Sequence, residues 1–207
     1  MITIYGYPFT RSTRATWALE EIGVDYDFVP VNLSKGEHKK TEFLKINPGG
    51  KIPALVDGDF ILTESAAIVT YIGEKFPASG LVPADIADRA HYFQWNFFNM
   101  TELEAPLWVR AKHISLFPES RRVPTVAESC LWEFHRATAV LARHMQDREY
   151  AIGDRFTAAD IMLCGTLNWA RVSEVSLASA TLDAYADRIL TRPALAKARE
   201  REAKAAA

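Results

Sequence analysis

The sequence predicts an α/β unit over residues 1–76 and an all-helical unit over residues 86–207. Three observations point there. Short apolar strands alternate with helical patterns at the start of the chain. A stretch rich in proline and glycine, residues 77–85, then reads as a linker. No convincing strand follows it. The 207 residues suffice for two small cores, and 49% apolar with 24% charged residues is ordinary for a globular chain.

Taken in order, residues 2–5 form a short buried strand. Residues 12–22 form a helix with Trp17, Leu19 and Ile22 apolar and Gly23 as its stop. A second strand, rich in Tyr, Phe and Val, covers 26–33, and a weaker helix over 37–46 ends at Asn47-Pro48. The next stretch is the most informative. Ile52-Pro53 opens a strand at 54–56, where a proline costs no ladder bond and its tertiary amide tolerates the cis form. Asp57-Gly58 is a tight-turn signal, and residues 60–62 return. Thr63 or Glu64 then caps a helix whose first amides lack internal partners, a place suited to an anionic group. In the second half, helices are expected over 86–117, 125–145, 157–172, 181–190 and 194–203, with Pro118 and Pro124 bracketing a break and a frayed end after them. Gly153 to Asp160 carries a capping box, Thr157 capping and Asp160 reaching back.

Several function classes are disfavoured. A net charge of −2 gives no basic footprint for nucleic acid, and no apolar run reaches membrane-spanning length. Residues 1–5 hold no basic leader, so no signal peptide is expected. Cys130 and Cys164 stand alone in apolar helical patterns, read as core packing in a reducing cytoplasm rather than as a disulfide or metal set.

The strand, proline, turn and Thr-Glu-Ser helix entry together resemble the cytosolic glutathione transferases, at the theta- and beta-like, serine- or cysteine-type end of the family. The resemblance covers the whole chain. It implies a thioredoxin-like domain followed by a helical bundle, and a function as a glutathione S-transferase that conjugates a small hydrophobic electrophile. A glutathione-dependent peroxidase, dehalogenase or isomerase, or a non-catalytic glutathione-binding relative, is the alternative. It also implies a symmetric homodimer and no cofactor beyond glutathione as co-substrate.

The resemblance further assigns residues. Ile52, before Pro53, meets the cysteinyl backbone of glutathione, and Glu64 and Ser65 meet the γ-glutamyl end. His38, nine residues before Asn47, and Lys51 suit the glycyl carboxylate, with Lys39 and Lys40 as substitutes for His38. The residue that touches the sulfur lies four before Arg14, which is Thr10. This departs from the usual Tyr, Ser or Cys. Ser12 is the competitor, a backbone N–H the third option, and Tyr7 and Tyr5 weaker ones; Thr10 or Ser12 also suits a plain helix cap. Trp108 and Arg110 are candidate walls of the electrophile pocket. Trp95, Phe97, Phe98 and Phe117 read as core or dimer contact, and Asn99, Glu102 or Glu104 as polar groups reaching across a dimer.

Overall fold

The computed structural model describes residues 1–207. The chain divides into two compact units, Met1–Ala84 with Thr191–Ala207, and Asp85–Leu190.

The first unit is built on β1 (Ile2–Gly6), α1 (Ser12–Ile22), β2 (Tyr26–Pro30), α2 (Thr41–Leu44), β3 (Ala54–Asp57), β4 (Phe60–Thr63) and α3 (Ser65–Lys75). The sheet order is β2-β1-β3-β4, with β1 parallel to β2 and antiparallel to β3, and β3 antiparallel to β4. This is the thioredoxin-like arrangement. Gly58 takes a φ of 62°, the left-handed conformation a tight β3–β4 turn requires. Ile4, Leu55, Ile68 and Ile72 are fully buried between sheet and helices. α1 is buried from Ser12 to Leu19 apart from Thr13, because sheet, α3 and a later helix all pack on it.

That later helix is α9 (Pro193–Ala206), the last of the chain. It packs on α1 and β2, so residues 191–207 join the first unit, whereas the sequence-based division placed them in the helical one. Ala194, Leu195 and Ala198 bury the apolar face of this helix, and distant polar pairs add to it: Arg192 with Glu21, Arg201 with Glu20, and Glu202 with two threonines of α1. The helix also runs on to Ala206 rather than fraying after 203.

The second unit contains α4 (Ile86–Phe98), α5 (Ala105–Ala111), α6 (Pro124–Met145), α7 (Ala158–Val172) and α8 (Ala180–Leu190). Tyr92, Leu103, Phe134, Leu141, Leu163, Leu167 and Tyr185 fill its core. The expected single helix over 86–117 is interrupted by two wider π-helical stretches, Asn99–Glu104 and Lys112–Leu116. Pro106 has no N–H to offer the Glu102 carbonyl, so the chain widens ahead of it. Asn99 and Glu104 are buried, Glu104 accepting from Thr166, so neither is placed to reach another chain; Glu102 is exposed. No helix is long and apolar enough to cross a membrane.

Three local expectations differ in detail. The helix expected over 37–46 splits into a 3-10 turn, Glu37–Lys39, and α2, because Lys40 between them is extended. The strand expected to reach residue 33 ends at Pro30. Leu81 and Val82, inside the expected linker, are buried; a Cβ on Gly73 would lie 2.6 Å from a Val82 methyl.

Candidate functional site

Strand register brings four loops to one end of the first unit's sheet. Gly6 stands beside Pro30, Tyr5 beside Ala54, and Ala54 beside Thr63. Residues 7–11, 31–38, 49–53 and 64–65 therefore all leave the sheet at that end. Every glutathione-site residue expected from the sequence lies in or next to one of these segments.

The first loop holds a chain of hydroxyls. The Thr10 Oγ1 donates to the Tyr7 carbonyl at 2.7 Å and accepts from the Ser12 N–H at 3.2 Å. The Ser12 Oγ lies 2.8 Å from Thr10 Oγ1 and accepts from the Tyr7 N–H at 3.2 Å. Each hydroxyl has one hydrogen, and Thr10 directs its own at Tyr7. The proton in the Thr10–Ser12 contact is then Ser12's. The order Tyr7 N–H, Ser12 hydroxyl, Thr10 hydroxyl is a polarised chain ending at Thr10.

The two candidates differ sharply in access. Ser12 is 0% exposed, and a Cβ on Gly6 would fall 2.5 Å from its Oγ. Ser12 therefore does not fit the competing role of meeting a ligand's sulfur directly. Thr10 is partly exposed. Arg11 occupies the N-cap position of α1 with no side-chain cap bond, and it is Thr10 that accepts the Ser12 amide. Of the weaker options, Tyr7 accepts from Asn32 Nδ2 at 2.9 Å through its OH, and Tyr5 packs against Phe43.

One residue of this loop is invisible to motif reasoning. Phe9 is 97% exposed and has a φ of 60°. A bulky L-residue in the left-handed region is an outlier, and a fully exposed aromatic ring gains nothing from burial. It directly precedes Thr10.

The remaining segments are shaped by their own hydrogen bonds. Ile52-Pro53 is cis. The Asn47 side chain, 8% exposed, donates to the Lys51 carbonyl at 2.6 Å and accepts from the Gly49 N–H at 2.9 Å, holding the loop. Lys51 is exposed. Gly50, at a φ of 58°, approaches the His38 backbone so closely that a Cβ would lie 3.1 Å from its carbonyl oxygen. The His38 backbone thus lies against the residue that precedes Lys51, and the buried His38 Nδ1 makes no hydrogen bond. Lys39 and Lys40 are exposed.

At α3, Glu64 occupies the N-cap position at a φ of 69°, with no side-chain cap bond. The capping role expected of Thr63 or Glu64 is therefore not made by either side chain, which leaves the Glu64 carboxylate exposed. The first helical bond runs from the Ile68 N–H to the Glu64 carbonyl, so earlier amides depend on outside acceptors. No acidic residue sits in that first turn. Ser65 is 3% exposed and accepts from the Arg14 guanidinium at 3.2 Å. Arg14, itself buried, ties α1 to α3 and places a cation beside the helix entry. In the sequence Arg14 serves only to locate Thr10, and nothing local signals its reach across 51 residues.

In the second unit, Trp108 and Arg110 lie on α5, both partly exposed. The Trp108 ring is 6.3 Å from that of Trp169, and Lys112 Nζ stands 5.9 Å over it. The Arg110 Nε is buried without a hydrogen bond.

Comparison with known proteins agrees with this fold. Residues 1–74 match the glutathione S-transferase N-terminal domain and residues 125–198 the glutathione S-transferase C-terminal domain. The chain is 36% identical over 168 residues to glutathione S-transferase F10 of Arabidopsis thaliana, covering 78% of this chain and 77% of that one. It is 34% identical over 212 residues to glutathione S-transferase 3 of Zea mays, covering 95% and 92%. A solved glutathione transferase from Methylococcus capsulatus superposes with a TM-score of 0.87 at 26% identity, covering 99% of this chain and 100% of that one. The glutathione transferase URE2P8 of Phanerochaete chrysosporium, solved with oxidized glutathione, gives 0.85 at 25% identity, covering 98% and 95%. Sequence relatives spanning most of both chains, and a fold shared from end to end, mean that this chain belongs to the glutathione S-transferase family.

Proposed function

We propose that the protein binds glutathione at the sheet end described above and transfers its thiolate to a small electrophile, with Thr10 stabilising the sulfur. The observation that carries this reading is the convergence of the partly exposed Thr10 hydroxyl, cis Pro53 and the Arg14-held Ser65 on one end of the sheet. Ser65 and the first amides of α3 receive the γ-glutamyl carboxylate, and the exposed Glu64 carboxylate receives its ammonium. The Ile52 backbone pairs with the cysteinyl residue. Lys51 and His38 hold the glycyl carboxylate.

The chemistry asks little of the protein. Thr10 turns its hydroxyl hydrogen from the Tyr7 carbonyl to the bound sulfur, and Ser12 donates to Thr10 from behind. The thiol proton leaves to solvent, the thiolate attacks the electrophilic atom, and the new carbon–sulfur bond forms as that centre's leaving group or π-electron pair departs. No cofactor enters these steps. Phe9 offers the electrophile an apolar surface next to the sulfur.

Three measurements test the reading. Ser65→Ala removes a hydrogen bond to a charged group, worth about 1.5–3 kcal/mol, so glutathione affinity by calorimetry is expected to fall about 10- to 100-fold. Unchanged affinity rejects the site. Glutathione bound to the wild type without turnover on any of a panel of electrophiles identifies a non-catalytic relative instead. Phe9→Ala is expected to raise KM for apolar electrophiles several-fold and leave glutathione affinity alone; an equal loss of both would place Phe9 in the glutathione site.

We also propose a symmetric homodimer. β4 is an edge strand with Phe60 and Ile61 both 45% exposed, and α4 exposes Ile86, Phe93 and Phe97 with the last two rings stacked at 6.2 Å. Exposed apolar side chains on an edge strand and along one helix support an interface between copies of the chain. Light scattering at micromolar concentration is expected to give a dimer mass, and Phe97→Asp a shift towards monomer.

A further inference from the structure

Glu202 is a buried acid that the proposed reaction does not use. On α9 it is 1% exposed. Its Oε1 accepts from Thr16 Oγ1 at 2.6 Å and its Oε2 from Thr13 Oγ1 at 2.8 Å. Both threonines lie near the start of α1. The Thr13 N–H donates to the Thr10 carbonyl at 3.3 Å, so Thr13 touches Glu202 with its side chain and Thr10 with its backbone.

Packing alone does not explain this arrangement. Ala194, Leu195 and Ala198 already bury an apolar face of α9. A buried carboxylate costs desolvation, and two β-branched threonines in one helix turn are poor helix formers. The cluster's return is directional: a bidentate acceptor fixes the rotation of the first turn of α1 about its axis. We propose that Glu202 is a positioning residue for the thiolate site, anchoring the first turn of α1, and through Thr13 the Thr10 hydroxyl, from the C-terminal helix. The link to catalysis rests on the Thr10 reading above; the anchoring does not.

Protonation tunes the anchor. Burial pushes the Glu202 carboxyl up to about 7, with the Thr16 and Thr13 hydroxyls and Arg199, one turn earlier on α9, drawing it back. Of the other groups on the packed elements, Arg201 pairs with Glu20 at 2.9 Å where α9 meets α1 and β2, Arg192 pairs with Glu21, and the Tyr26 OH donates to Glu20 while the Glu202 charge also acts on that OH. The folded state therefore binds more protons than the unfolded one between the usual carboxyl value of 4.5 and about 7. Stability from this group is full below that window and is lost as pH rises through it. The melting temperature of the wild type is expected to decline across the window, and that of Glu202→Gln to decline less.

The decisive experiment compares wild type, Glu202→Ala and Glu202→Gln by amide hydrogen exchange and by the pH at which bound glutathione ionises. In Glu202→Ala the amides of Ser12, Thr13 and Arg14 are expected to exchange at least ten-fold faster while those of β1 hold. The ionisation midpoint of bound glutathione is expected to move up and kcat to fall, and Glu202→Gln, which keeps an acceptor, is expected to restore most of both. If Glu202→Ala fails to fold, Thr13→Val serves in its place with the same expectations. Unchanged exchange in α1, or changed exchange with an unchanged ionisation midpoint and kcat, overturns the positioning role. A wild type whose bound glutathione never ionises within the tested range rejects the Thr10 reading, and the exchange result still decides whether Glu202 anchors α1.

Discussion

Thr10→Ala is expected to lower turnover about 10- to 100-fold and to raise the ionisation pH of bound glutathione by about one to two units. A hydrogen bond to a charged acceptor contributes about 1.5–3 kcal/mol, and each pH unit corresponds to about 1.4 kcal/mol, so the two effects are the same quantity seen twice. Thr10→Ser keeps the hydroxyl and loses a methyl, and most activity is expected to survive. Ser12→Ala is expected to shift the ionisation in the same direction by less, since it removes a donor to Thr10 rather than a donor to sulfur. Ser12→Ala shifting it more than Thr10→Ala would reverse the order of the chain. No shift from either would leave the helix-end amides holding the sulfur.

The largest stability effect is expected at Asp160, far in sequence from the site. Its carboxylate accepts from the Ala151 N–H at 2.8 Å, the Thr157 N–H at 2.8 Å, the Thr157 hydroxyl at 3.1 Å and the Tyr185 OH at 2.7 Å. Burial pushes its pKa up, and these four donors pull it back. Asp160→Ala leaves buried donors without an acceptor, at about 1–3 kcal/mol each before relaxation, so a loss of about 3–5 kcal/mol is expected. For a chain of this size that lowers the melting temperature by on the order of 10 °C. Asp160→Asn is expected to be nearly as damaging, because its amide points a donor at donors. Denaturant unfolding checks both, and a melting temperature within about 2 °C of wild type would show that the network is not structural. Glutathione affinity measured on the folded fraction is expected to be unchanged, which separates this effect from those at Ser65.

The cis Pro53 hairpin, the α3 entry and the capping box at Thr157 were legible because each is a local signal. A turn dipeptide, a proline at a strand start and a cap three residues from its partner all act within a few residues. The pairing of α3's entry with the loops at the sheet end follows from hairpin register, so the segments that hold the residues proposed for glutathione can be read by motif. Thr10 was readable as a candidate but not as distinct from Ser12. Both carry hydroxyls in the same turn, and only packing against Gly6 decides which one is buried.

The sequence by itself determined the α/β start, the helical remainder and the loops gathered at the sheet end, because periodicity and turn chemistry are properties of neighbouring residues. Tertiary structure alone decided the rest. The last helix returns to the first unit through Arg192, Arg201 and Glu202, whose partners lie 171, 181 and 186 to 189 residues away. Arg14 reaches Ser65, Tyr185 completes the capping box of Asp160, and Phe9 stands in a left-handed conformation outside any turn dipeptide. These contacts are made by single polar side chains on elements distant in the chain. A hydrogen bond across such a distance fixes neither a period nor a spacing, so it leaves no pattern in the sequence until the fold brings its two ends together.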